Sequence, residues 1–232
     1  MIFLKIDISA YLIIGPENTK NRPVEEIVCA ALKAGFTCVQ LRSKVASAHE
    51  MIDISERCAN VIHKLNKSDT VALLIDDRLD IALAARMQGI KVDGVHVGQD
   101  DIPVEVCRKY LGNDAIVGLS ARRHKLIDYV KNHNCSNIDY FGTGPLHPST
   151  SKPDAGRQSD GSVITRSIEE LEELAEISPI PVVVGGGVTV EDIPIISKTG
   201  VNGFFVISAI AGADDPYVAA KDLIDCWRLT HT

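Results

Sequence analysis

Apolar residues along the chain follow two alternating rhythms. Short runs rich in β-branched residues predict strands at Tyr11–Ile14, Phe36–Leu41, Val71–Ile75, Val92–Val97, Ala115–Leu119, Ile138–Gly142, Pro181–Val184 and Asn202–Ile207. Val71–Ile75 is apolar throughout, as expected of a parallel strand buried on both faces. Between these runs the spacing becomes helical. Val24, Ile27, Val28 and Ala31 share a face of a helix over Pro23–Lys33, which Gly35 stops. Ser47 with Glu50 fits a capping box ahead of Ile54, Cys58, Val61 and Leu65, and Ser167 with Glu170 fits another ahead of a helix over Ile168–Ile177. Further helices are predicted at Leu79–Met87, Pro103–Tyr110 (Pro103 in the first turn), Arg122–Asn132, Thr189–Lys198 and Asp214–Leu229.

Strands alternating one for one with helices predict an α/β fold, a single (β/α)8 TIM barrel spanning residues 1–232. An open doubly wound sheet is the alternative, and the chain lacks the G-x-G-x-x-G turn that such a sheet often carries after its first strand. The long polar loop from Pro145 to Val163, after the sixth strand, is a candidate lid.

Composition narrows the function. A hydrophobic share of 45% supplies a large core, and a net charge of −7 argues against a nucleic-acid partner. An anionic ligand remains compatible, because local cations decide that. The 6 cysteines form no C-x-x-C pair, so they read as buried free thiols of a reducing cytosol rather than a metal-thiolate site. Met1–Asp7 has no signal-peptide pattern, and no apolar run reaches the roughly 18–20 residues that span a bilayer. A cytoplasmic protein with no membrane partner is expected; self-association into a homo-oligomer stays open.

The candidate chemistry gathers where the strands end, the end of such a barrel that carries active sites. Arg42 and Lys44 follow the second strand and face one way if the strand continues, two cations suited to a diphosphate or else a solvated loop pair. Asp76-Asp77-Arg78 follows the third, and Asp100-Asp101 the fourth, behind Gly98. Each acid pair could cap the next helix; carboxylates from two neighbouring strand ends could equally share one Mg²⁺. His96 reads better as a hydrogen-bonded core histidine than as a catalytic one. Ser120, ending the fifth strand, is either an anion donor or a cap. Gly142-Thr143-Gly144-Pro145 lets backbone approach a ligand, and Ser149, Ser151 and Lys152 add hydroxyls and a cation. Gly185-Gly186-Gly187 and Ile207-Ser208 end the last two strands, where barrels of this kind often bind phosphate.

Over about Tyr11 to Trp227 the chain resembles the thiamine phosphate synthase (thiamine-phosphate pyrophosphorylase) family. The resemblance rests on Gln40-Leu41-Arg42-Ser43-Lys44, Ile75-Asp76-Asp77-Arg78, Asp93 through Asp101, Gly142 through Pro145, Pro148 through Lys152, Gly186-Gly187 and Ile207 through Ile210, in that order. It implies a condensation in which hydroxymethylpyrimidine diphosphate loses pyrophosphate by a dissociative path and a thiazole phosphate takes its place, giving thiamine phosphate. It further implies that Arg42, Lys44, Ser120 and Lys152 contact the diphosphate with Gln40 beside it, and that Asp77 and Asp101 hold Mg²⁺. Ser149, Ser151, Gly187, Ile207 and Ser208 would bind the thiazole phosphate. Asp76 stands in the pyrimidine diphosphate region where the family pattern has Asn, adding a negative charge, and Ser149 and Ser151 stand where it has Thr. A thiazole tautomerase relative, with His147 near the strand-six loop, is the nearest alternative. A non-catalytic phosphate-ligand-binding barrel and an unrelated phosphate-binding barrel isomerase are more distant ones.

Overall fold

The computed structural model describes residues 7–120, 123–148 and 162–230. Eight parallel strands close on themselves in sequence order: β1 (Ala10–Ile14), β2 (Cys38–Leu41), β3 (Ala72–Asp76), β4 (Gly94–Gly98), β5 (Ile116–Ser120), β6 (Tyr140–Thr143), β7 (Val182–Gly185) and β8 (Gly203–Val206), with β8 pairing back onto β1. The helices are α1 (Val24–Ala34), α2 (Ala48–Lys64), α3 (Leu79–Met87), α4 (Val104–Leu111), α5 (Arg123–Asn132), α6 (Ile168–Ile177), α7 (Ile193–Ile196), α8 (Ser208–Ala211) and α9 (Pro216–Leu229). This is the (β/α)8 barrel that the alternating pattern predicts.

Side-chain alternation divides the core into two layers. Leu12, Ile14, Val39, Leu73, Ile75, Val95, Val117, Phe141, Val184 and Phe204 pack outward with the helices. Tyr11, Ile13, Cys38, Ala72, Leu74, Ile116, Tyr140 and Val183 fill the barrel interior. Glycines make room for the interior rings: a Cβ on Gly118 would lie 2.3 Å from Tyr140 Cζ, and one on Gly185 would lie 2.1 Å from Phe205 Cδ2.

Several local expectations change. Thr189–Lys198 is not one helix but a 3-10 turn over Val190–Asp192, the short α7, and a second 3-10 turn over Ser197–Thr199. Pro194, in the first turn of α7, offers no N–H to extend the Val190–Asp192 turn into it. The segment expected to be helical from Asp214 is entered later, because Asp215 caps α9 by accepting from the Tyr217 and Val218 amides. Pro103 occupies the N-cap of α4 rather than its first turn. Ser47 accepts from the Glu50 amide, but the reciprocal half of that box is missing, whereas Ser167 and Glu170 form both halves. The second strand stops at Leu41, so Arg42 and Lys44 lie on the loop beyond it, and the eighth stops at Val206.

All six cysteines are free thiols. Burial pushes Cys58 up to about 12 and Cys38 well above the usual thiol range. In the folded protein at neutral pH, iodoacetamide should therefore modify the half-buried Cys29 and Cys226 first. Peptide mapping that finds Cys38 or Cys58 alkylated as fast as Cys226 would contradict this packing.

Candidate active site

The carboxyl ends of the strands form one polar mouth. Cross-strand register sets which groups meet: Leu41 lies opposite Ile75, Asp76 opposite His96, Gly98 opposite Ser120, and Ser120 opposite Gly142.

Asp76 is the last residue of β3 and, by alternation from Ala72 and Leu74, points into the barrel. It is 7% exposed, and Arg42 beside it is 8% exposed. Arg42 Nε lies 3.1 Å from Asp76 Oδ2, and Gln40 Nε2 donates to Asp76 Oδ1 at 2.7 Å. The extra negative charge is thus matched by a cation and an amide at the end of the neighbouring strand. That pairing is what makes a buried carboxylate tolerable.

Asp77 follows on the loop just beyond β3. Its backbone is left-handed, with φ of 59°, a conformation that Asp adopts more readily than most residues. Its amide donates to the His96 carbonyl at 2.8 Å, and its carboxylate pairs with Lys44 Nζ. Burial works to lower the Lys44 ammonium, but the Asp77 hydrogen bond and the nearby acids outweigh it and hold Lys44 above its ordinary value. Burial, then the hydrogen bond and charge of Asp77, raise Asp101 above the usual carboxylate range, against the Gly98 amide, which donates to Asp101 Oδ2 at 2.8 Å. Asp77 and Asp101 are therefore adjacent carboxyl groups contributed by the loops after β3 and β4. Among the described residues no group of three or more His, Cys, Asp or Glu is placed to hold a metal. Two neighbouring carboxylates are nevertheless the donor set that Mg²⁺ takes, because it retains waters and accepts phosphate oxygens for its other positions.

Glu17, which the sequence did not single out, braces the cationic loop by accepting from the Ser43 hydroxyl and, at 3.1 Å, from the Lys44 amide. Its only signal in the sequence is its place just after the first strand. Ser120 ends β5, and its Oγ lies 2.6 Å from His96 Nε2.

Across the mouth, the loops after β6 and β7 are stitched together. The Leu146 and His147 amides donate to the carbonyls of Gly185 and Gly186. Gly186 and Gly187 are both left-handed, with φ of 85° and 76°, and a Cβ on Gly187 would come within 2.8 Å of His147 Cβ. His147 Nε2 lies 2.8 Å from Asp192 Oδ1. Burial works to raise Asp192, and the hydrogen bonds from His147 and Thr189 overcome it and hold the carboxyl low. Ile207 packs against the interior cluster and Ser208 opens α8. Ser149, Ser151 and Lys152 lie outside the described residues.

A closed parallel barrel with cations, paired acids and glycine turns at one mouth defines a (β/α)8 enzyme that handles anionic substrates. The family described as thiamine monophosphate synthase matches residues 10–210. Thiamine-phosphate synthase of Corynebacterium efficiens is 37% identical over 218 residues, covering 94% of each chain. That of Natronomonas pharaonis is 35% identical over 219 residues, again covering 94% of each. A solved thiamine phosphate pyrophosphorylase from Pyrococcus furiosus superposes with a TM-score of 0.77 at 30% identity, covering 97% of this chain and 98% of that one. The chain belongs to the thiamine monophosphate synthase family.

Proposed function

We propose that this protein, one barrel domain over residues 1–232, is a Mg²⁺-dependent thiamine phosphate synthase. It joins hydroxymethylpyrimidine diphosphate to a thiazole phosphate, releasing pyrophosphate. The observation that supports this most directly is the adjacency of Asp77 and Asp101 to the cations Arg42 and Lys44 at one barrel mouth.

In the dissociative path the methylene C–O bond breaks first and its electron pair leaves with pyrophosphate. The thiazole nitrogen then donates its lone pair to the pyrimidine-stabilised cation. No side chain must remove a proton for either bond change. The protein's task is to stabilise charge growing on the leaving group and to hold the two reactants in line. Arg42, Lys44, Ser120 and Lys152 would take the diphosphate oxygens, with Gln40 and Asp76 fixing the direction of Arg42. Asp77 and Asp101 would hold Mg²⁺, which when bound neutralises part of the diphosphate charge. Gly187, Ile207, Ser208, Ser149 and Ser151 would hold the thiazole phosphate. Six free thiols suit a cytoplasmic location.

Incubation with both substrates and Mg²⁺ should yield pyrophosphate and thiamine phosphate in equal amounts, and EDTA should abolish both. A protein that binds thiazole phosphate without releasing pyrophosphate would instead favour the tautomerase reading, for which His147 beside Gly187 is the relevant group. Gly187→Ala should weaken thiazole phosphate binding by about tenfold or more, because the new methyl meets His147 at a left-handed backbone. An unchanged KM for thiazole phosphate in that variant would remove Gly187 from the site.

A further inference from the structure

Ser120 stands at the outer end of a buried line of hydrogen bonds. His96 Nε2 lies 2.6 Å from Ser120 Oγ, and His96 Nδ1 lies 2.8 Å from the Tyr140 hydroxyl. The Tyr140 hydroxyl lies 2.8 Å from that of Tyr11, whose hydroxyl also meets the Cys38 thiol. The line runs from the barrel interior to the mouth through residues on β1, β2, β4, β5 and β6. Glycines clear its path: a Cβ on Gly118 would lie 2.5 Å from His96 Nδ1, and one on Gly142 would lie 2.9 Å from His96 Cε1 and 3.1 Å from Ser120 Oγ.

Each contact in the line holds one hydrogen, so with a neutral imidazole the line has two polarities. In the inward one, Ser120 donates to His96 Nε2, Nδ1–H donates to Tyr140, Tyr140 donates to Tyr11, and the Tyr11 hydrogen falls on sulfur. In the outward one, Tyr11 donates to Tyr140, Tyr140 donates to Nδ1, and Nε2–H donates to Ser120. Burial pushes both phenols well above their ordinary range, so both keep their hydrogens. Sulfur is a weak acceptor, whereas a phenol oxygen and an imidazole nitrogen are good ones. The outward polarity therefore places both buried phenol hydrogens on the better acceptors. It also leaves the Ser120 O–H to donate at the mouth, where an anion requires a donor.

We propose that His96 is a positioning residue that acts through Ser120. The Tyr11–Tyr140–His96 line fixes the Nε2–H tautomer and thereby presents the Ser120 hydroxyl as a preorganised donor to the diphosphate. This rests on the proposed contact between Ser120 and the diphosphate. The gain is that the donor needs no reorientation when charge develops on the leaving group.

The tautomer is read from long-range ¹H–¹⁵N spectra of the wild-type protein labelled at histidine, with the His96 signal assigned by its loss in His96→Gln. A neutral ring protonated at Nε2 is expected, and a ring protonated at Nδ1 overturns the proposal whether or not the protein turns over. The second measurement is the rate of pyrophosphate release. His96→Leu should slow it by about tenfold, and His96→Gln, which retains an N–H near the Nε2 position, should recover part of that loss. In a Ser120→Ala background His96→Leu should add little, because its effect passes through the missing hydroxyl. A full tenfold loss in that background overturns the proposal. Failure of the wild-type protein to make thiamine phosphate would sink the functional assignment instead, and the tautomer would still decide the polarity.

Discussion

Asp101→Ala should lose about 100-fold or more of Mg²⁺-dependent turnover, the several kcal/mol expected when charge on a phosphoryl leaving group goes uncompensated. The fold should persist, since the hydrogen bond that Asp101 accepts from the Gly98 amide contributes about 1 kcal/mol and its other contact is with a fellow acid, Asp77. The partner carboxylate calls for a different substitution. Asp77 sits at φ of 59°, so alanine there would add backbone strain, while Asn tolerates that conformation and removes only the charge. Asp77→Asn should raise the Mg²⁺ concentration needed for half-maximal rate. It should also release Lys44, which pairs with Asp77. Circular dichroism would check folding, and a Mg²⁺ titration of pyrophosphate release would check the metal. Wild-type turnover of Asp101→Ala at ordinary Mg²⁺ would remove both acids from the metal site.

The second large effect concerns Arg42 and separates stability from turnover. Arg42→Ala takes the cation away from a carboxylate that is only 7% exposed, and breaking such a buried pair costs roughly 3–5 kcal/mol. In a domain of this size that is a drop of about 6–20 °C in Tm. Adding Asp76→Asn removes the stranded charge while keeping an acceptor for Gln40, so the double variant should regain most of the lost stability. Its turnover should stay low, because the guanidinium that would hold the diphosphate is still missing. Asp76→Asn alone leaves the buried Arg42 without its counter-charge and should also lower Tm, but it should bind the diphosphate at least as tightly as wild type, since Arg42 no longer shares its charge with a neighbouring acid. Thermal melts and KM for the pyrimidine diphosphate test the set. A double variant as unstable as Arg42→Ala would mean that Arg42 supports the fold through contacts other than Asp76.

The strand–helix alternation was legible because its causes are local. Period-two runs and helical spacing each lie within one element, and Ser167 with Glu170 needs only a separation of three residues to form its box. The places where local reading failed are places where local rules compete. Thr189–Lys198 carries a helical pattern interrupted by Pro194, and the chain breaks it into three short pieces. Pro103 fits either side of a helix boundary and took the outer position. Ser149, Ser151 and Lys152 carry the family motif, but they lie outside the described residues.

By itself the sequence determined the barrel and the fact that polar clusters follow its strands, because both depend on the order of residue types along one segment. Only the tertiary structure decided how those clusters pair. Asp76 meets Gln40 from 36 residues away, His96 meets Tyr140 from 44, and Tyr11 meets Tyr140 from 129. Those contacts follow from strand register and from glycines that leave space for another strand's ring. The sequence lists the charges and rings; barrel closure sets which neutralise one another and which share hydrogen bonds.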